Sequence, residues 1–171
     1  EGLVQKKLDF QITSEAILKF SIEPGNYDKD NSLDHLVVFN AMLVQNAYYQ
    51  GHNDFNLSVL KDKNGNSIPG CYFFLSGTNK NPINITFDGN SVLAYCWGLN
   101  HANVRFKKNT SNCAFNCKNS KIIFTGRASG GASHSKNCDV YLYAGRSKIF
   151  GGWSKDMRFY SPFKESLEEI K

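Results

Sequence analysis

Between Gly89 and Cys138 the chain carries no acidic residue but seven basic ones: Arg105, Lys107, Lys108, Lys118, Lys121, Arg127 and Lys136. Trp97, Phe106, Phe115 and Phe124 are interleaved with them. The acids gather mostly in the first 62 residues and the last 16. Cations among aromatic rings hold polyanions by charge. They also hold sugars, whose C–H faces stack on flat rings while nearby polar groups bond the hydroxyls. The chemistry on offer is binding. Trp97 is followed by Gly98, and Trp153 follows Gly151-Gly152, so both rings sit beside backbone opened by glycine. Arginine offers several donors in a fixed fork. The candidate glycan-binding residues are therefore Trp97, Arg105, Tyr143, Arg146 and Trp153. The competing reading puts both tryptophans in the core and makes Arg146 a plain turn residue.

Catalytic and metal chemistry fare less well. Ser, Cys and His are present, but none lies in a nucleophile elbow or a comparable cassette. Glu165, Glu168 and Glu169 read as the solvated face of a terminal helix. Gly126, Gly130 and Gly131 are followed by small polar residues, not by a helical pattern, so they do not read as a phosphate cradle. Cys113 and Cys117 have ligand-like spacing, and His101 and His134 are near in sequence, but zinc sites usually show a second short-spaced pair. A local disulfide or two idle thiols rank ahead of zinc. The expectation is a protein without enzyme activity, metal or cofactor.

The elements that would position these residues are mostly strands. Leu8, Phe10 and Ile12 alternate with polar residues, as do Leu18, Phe20 and Ile22. Residues 55–60 run into Asn64-Gly65, and 72–75 read as the return strand. A second hairpin is expected between 83–87 and 92–97 across Asp88-Gly89-Asn90. Further strands are expected at 103–107, 121–125, 139–143 and 148–150. Residues 126–135 (GRASGGASHS) read as a polar loop. Two segments break the strand pattern. Ser161-Pro162 is a helix start, and Phe163, Leu167 and Ile170 then form one apolar stripe. In 33–49, length and Asp34 favour helix while Val37-Val38-Phe39 favour strand, and the reading leans to helix. No internal repeat is visible, and no linker divides the chain. The expected fold is α+β, mainly β: one domain over 1–171, an antiparallel sheet packed against terminal helices, the C-terminal one from about Ser161.

With 171 residues and a formal charge of +5, the chain has only a weak preference for acidic partners. No apolar run approaches the ~20 residues of a membrane span. The chain opens on Glu1, which fits a cut-out domain or processed product. Five cysteines, an odd number, leave at least one unpaired within the chain, and both reducing and oxidising histories stay open. Three glycosylation triplets begin at Asn56, Asn84 and Asn109, at a frequency that chance produces in an Asn-rich chain.

Three stretches occur in the order of a known family: Phe20-Ser21-Ile22-Glu23-Pro24, then Tyr143-Ala144-Gly145-Arg146-Ser147-Lys148-Ile149-Phe150-Gly151-Gly152, then Arg158-Phe159-Tyr160-Ser161-Pro162-Phe163-Lys164-Glu165-Ser166. They resemble parts of the receptor-binding head of the rotavirus outer capsid spike protein. The sequence departs too far from the galectin-like sandwich of the better-known heads to assume it, and looks more like the divergent heads of group B-type rotaviruses. The resemblance implies a sheet clasped by terminal helices on the virion surface. It implies host cell-surface glycans of N-acetyllactosamine type and the remainder of the spike as partners. No sialic-acid site carries over. The alternatives are a bacterial minor pilin or fimbrial tip subunit on the cell surface and, third, a nucleic-acid-binding domain, for which no signature is present.

Overall fold

The computed structural model describes residues 33–58, 74–92, 96–144, 146–150 and 152–162. Among these residues one helix, α1 (Leu33–Tyr49), precedes ten strands: β1 (Asp54–Ser58), β2 (Ile83–Asp88), β3 (Ser91–Val92), β4 (Ala102–Phe106), β5 (Thr110–Cys113), β6 (Lys121–Phe124), β7 (Ala128–Gly131), β8 (Asp139–Leu142), β9 (Arg146–Phe150) and β10 (Arg158–Tyr160). The odd strand β1 and then the even strands form one sheet in the order β1-β2-β4-β6-β8-β10, and the others form a second in the order β3-β5-β7-β9. Every pairing among them is parallel. A third side is drawn by single parallel bridges, Ser76 to Asn100 to Lys118 to Lys136 to Lys155, with Trp97 bridged to Phe115. The molecule is a three-sided β-solenoid.

The expected antiparallel sheet is thus corrected, and the reason lies in the turn. Asp88-Gly89-Asn90 does not fold the chain back on β2; it carries it round a corner, and β3 joins the other sheet. Asp-Gly signals a residue that accepts unusual φ, and a solenoid corner uses that freedom as readily as a hairpin. A parallel partner needs a crossover of a dozen or more residues. Each coil provides it by running through the other two sides. Register partners along the first sheet accordingly recur every 18 or 19 residues, as Ile83–Ala102, Asn103–Lys121, Lys121–Asp139 and Asp139–Arg158 show. A repeat therefore exists where none is visible as matching residues.

What repeats is the inward pattern. Ile85, Val104, Ile122 and Val140 stack in one buried column. Leu57, Phe87, Phe106, Phe124 and Leu142 stack in the next. The Phe87 and Phe106 rings lie 5.3 Å apart and the Phe106 and Phe124 rings 5.1 Å apart, both nearly parallel. Those separations are close to the ~4.8 Å between paired strands, so one ring per coil fills the interior without gaps. Corners are set by residues in left-handed backbone. His101, Asn119, Asn137 and Asp156 share φ of 48, 49, 51 and 55° at one corner. Asn and Asp tolerate that region best after Gly. At Gly126 the requirement is space, since a Cβ would stand 2.4 Å from the Lys108 carbonyl carbon. The GRASGGASHS segment is not a loop; it holds β7 and the following corner, and small residues are what fit there.

The helix expected over 33–49 is present as α1. It buries Ala41, Leu43, Val44, Ala47 and Tyr48. Gly51, at φ 99°, ends it: Gly51 N–H reaches the Tyr48 carbonyl and His52 N–H the Ala47 carbonyl, a Schellman closure. The helix also closes the third side. The Gln45 amide donates to the Ser76 carbonyl at 3.0 Å and accepts from the Ser76 N–H at 2.8 Å, taking the place of a preceding strand. The Tyr48 hydroxyl donates to the Asn81 carbonyl at 2.6 Å. Terminal caps of this kind are what stacked-coil proteins require. At the other end, Ser161 and Pro162 follow β10 in non-helical backbone, and the Phe163, Leu167 and Ile170 stripe lies outside the described residues, as do the expected strands in the first 32 residues and the turn after β1. Phe74 and Leu75, the described end of the expected return strand, lie outside any named strand.

Candidate functional site

The third side of the solenoid carries two exposed tryptophans and a row of exposed lysines. It leaves a corner at Gly98, Asn116, His134 and Trp153, all in left-handed backbone with φ of 69, 51, 57 and 62°. One residue later Leu99, Cys117, Ser135 and Ser154 turn inward. One residue later again, Asn100, Lys118, Lys136 and Lys155 turn outward in bridged register. The inward serines replace apolar stacking with hydrogen bonds. Ser135 Oγ accepts the Cys117 N–H at 3.0 Å, and Ser154 Oγ accepts the Ser135 N–H at 3.0 Å. Ser120 Oγ likewise accepts the Ala102 N–H at 3.1 Å. These hydroxyls satisfy buried backbone donors that no strand partner reaches.

Aromatic rings line this corner. Trp97 stacks on Phe115 with centroids 5.8 Å apart, and His134 stacks on Trp153 at 6.4 Å with the planes 10° from parallel. Trp97 is 41% exposed and Trp153 88% exposed, so neither belongs to the core. Beside the lysines, Asn119 donates to Asn100 Oδ1 at 3.1 Å, and Asn137 donates to Asn119 Oδ1 at 2.9 Å, forming a carboxamide ladder along the coils.

The five residues singled out from sequence are not brought to one place. Trp97 and Trp153 share the third side, three coil steps or about 14 Å apart along the axis. Arg105 is exposed on the outer face of β4, between Thr86 and Ile123, on the first sheet. Tyr143 is exposed just after β8, and Arg146 opens β9 on the second sheet in register with Ala128. Sequence reading noted Phe115, His134, Lys118 and Lys136 but did not place them in the site, and it missed Lys155 and the alignment of the three lysines in one column. The signal was there: Lys118-Asn119-Ser120-Lys121-Ile122, Lys136-Asn137-Cys138-Asp139-Val140 and Lys155-Asp156-Met157-Arg158-Phe159 repeat one pattern at solenoid spacing.

The first sheet contributes a flank. Arg158 Nε donates to Asp139 Oδ1 at 2.6 Å and Nη2 to Oδ2 at 3.1 Å, a two-pronged pair. The Arg158 hydrogen bond is the main reason the Asp139 carboxyl is held below its ordinary value. Lys121 Nζ lies 4.6 Å from the centre of the Tyr141 ring, which stacks on Tyr160 at 4.6 Å. A cleft of about 320 Å³ opens beside these rings, lined by Tyr141, Tyr143, Phe159, Tyr160 and Pro162.

The cysteines face inward. Cys96, Cys113, Cys117 and Cys138 are buried, and the local disulfide considered for Cys113 and Cys117 is not formed; Cys71 lies outside the described residues. Burial, and then the neighbouring Cys138, push the Cys117 thiol up to about 12. Burial also raises Cys138. A thiol held protonated is a poor nucleophile and a poor ligand. Among the described residues no group of three or more His, Cys, Asp or Glu could hold a metal ion, and no helix is long and apolar enough to cross a membrane.

The fold and this side together define the class: a parallel β-solenoid with an exposed aromatic and cationic side. No family model, no curated protein and no solved structure matches the chain.

Proposed function

We propose that the protein is a non-catalytic carbohydrate-binding module, with the third side as its sugar platform. One observation carries the reading. Trp153 stands 88% exposed, in left-handed backbone, with its ring laid parallel to His134. A bulky residue in that backbone is strained, and an exposed indole returns little by packing. An exposed indole face is a surface on which the C–H face of a sugar stacks. The Trp97–Phe115 pair repeats the arrangement further along the axis. Arg105, Tyr143 and Arg146 lie on other sides and leave the proposed site.

Attachment to host cell-surface glycans from a virion surface, with N-acetyllactosamine-type sugars as ligands and the rest of a spike as covalent neighbour, is the form of this function that the spike-head resemblance adds. The solenoid is not the sheet clasped by helices which that resemblance implied, so the tryptophans, not the family, support the sugar reading. The buried thiols of Cys117 and Cys138 weigh against an exported pilin, whose cysteines would oxidise.

A shallow platform orders both partners for few buried contacts, so affinity per domain is expected to be millimolar to high micromolar, with avidity restoring strength on a multivalent surface. The test is a glycan array with the wild type and Trp153→Ala. The expected result is glycan binding that the variant loses while its melting temperature stays nearly unchanged. Undiminished binding by the variant, or no glycan bound by the wild type, overturns the proposal.

A further inference from the structure

Lys118, Lys136 and Lys155 leave three consecutive coils in bridged parallel register, so their stems are spaced by about one strand separation, ~4.8 Å. All three are exposed, and among the described residues none is ion-paired. Like charges directly opposite on adjacent strands destabilise a sheet. Asn100 and Ser76 occupy the same column in the preceding coils, so the backbone there accepts a neutral residue. The repulsion is therefore not imposed by the fold. Lys121 and Arg158 add positive charge on the flanking column, although Arg158 is engaged by Asp139.

We propose that this lysine column binds an anionic polysaccharide laid along the solenoid axis, its sulfates or carboxylates meeting the lysines and its sugar faces meeting His134 and Trp153. The inference rests on the carbohydrate reading above and adds the charge class of the sugar. One feature favours a sugar polymer over a nucleic acid. The column beside the lysines is Asn119, Asn137 and the exposed Asp156. Carboxylates and amide oxygens accept hydrogen bonds from hydroxyls, which sugars have in plenty. A phosphate chain brings one anion per unit and few hydroxyl donors for these acceptors. The lysines form one straight row, and an anionic polymer of either kind lying along it releases counterions from each contact, which makes the binding salt-dependent.

The test uses three probes with the full chain: heparin as sulfated polysaccharide, a neutral glycan from the array, and an oligothymidylate. Affinities are read across a salt series for the wild type, for the triple variant Lys118→Gln/Lys136→Gln/Lys155→Gln, for the triple Lys→Arg variant at the same positions, and for Lys80→Gln/Lys108→Gln/Arg127→Gln as a matched loss of charge elsewhere. The wild type is expected to bind heparin more tightly than the oligonucleotide. The lysine-column variant is expected to lose about tenfold or more in heparin affinity and to show a salt slope shallower by about two. The arginine variant should retain binding and the matched control should stay near wild type, which separates the column from net charge and from misfolding. Heparin binding unchanged in the column variant overturns the proposal, as does an equal loss in the matched control. Tighter binding of the oligonucleotide, lost in the column variant, assigns the row to nucleic acid instead. Neutral-glycan binding lost in Trp153→Ala with heparin binding unchanged in the column variant leaves the sugar platform standing and removes only this inference. Heparin binding that depends on the column while no neutral glycan binds keeps the lysine row and removes the stacking platform.

Discussion

The first sheet and the third side are built from the same coils by different means. On the first sheet, strands of three to six residues pair along their whole length, and buried Ile, Val, Leu and Phe stack in columns beneath. On the third side the pairing shrinks to single bridges, and serine hydroxyls take over the backbone donors. The first side is held by apolar area, which is large and indifferent to detail. The third is held by a few hydrogen bonds, and its outward positions carry strain and unpaired charge. Stability and candidate function thus sit on separate sides of each coil. The helix α1 serves the weaker side, since Gln45 closes the first rung of the third side and not of the sheet.

That division can be broken most strongly at Phe106. It is the middle ring of the Phe87, Phe106 and Phe124 stack and is 1% exposed. Phe106→Ala is expected to cost about 3–5 kcal/mol in a urea titration, against less than about 0.5 kcal/mol for Trp153→Ala. Similar losses at both positions would erase the contrast between the sides. Ser135→Ala comes next. It removes the acceptor of the Cys117 N–H inside the third side, for an expected loss of about 1–3 kcal/mol. A neutral result would mean that the bridged side does not depend on its serines.

Two smaller effects depend on pH. Because folding raises the Cys117 thiol, its contribution to stability is complete below the ordinary thiol range and is lost as pH rises through that range toward about 12. Stability should therefore fall on the alkaline side, and a thiol reagent should label Cys117 only after denaturation. Rapid labelling of Cys117 in the folded protein would contradict its burial. Asp139 works in the opposite direction. Folding lowers its carboxyl, chiefly through the Arg158 hydrogen bond, so this contribution is present above the ordinary carboxylate range and is lost as pH falls through and below it. The pair is partly exposed, so Asp139→Asn is expected to give the smallest change of the set, flattening the acid limb of a stability–pH curve. An acid limb identical to wild type would remove the pair from the account.

Individual strands were legible because their alternation is local. Ile83, Ile85 and Phe87 announce β2, and β4, β6 and β8 fall where alternation places them. Pairing was not legible, because alternation says which face is buried but not which strand lies alongside. The GRASGGASHS segment shows the limit: its small residues fit the crowded corner of a solenoid, and in isolation they read as a loop. The repeat was hidden because the column Ala102, Ser120, Cys138 and Met157 keeps only inward direction, not chemistry. For the site, the exposed tryptophans were legible as aromatic residues beside glycine. The lysine column was not, because its members join only once the coil length is known.

The central claim is parallel coil-on-coil register, and a disulfide pair tests it most directly. Asn103 and Lys121 are register partners on the outer face of the first sheet. Cysteines replacing them should be about 4.8 Å apart at Cα, within the range a disulfide spans. Asn103→Cys paired with Ile123→Cys keeps the same face but shifts by two residues along the strand, to about 8 Å, which a disulfide does not span. Under mild oxidation, peptide mapping should find the 103–121 cross-link formed readily and the 103–123 cross-link absent. Failure of the first pair, or equal yield from both, would contradict the solenoid.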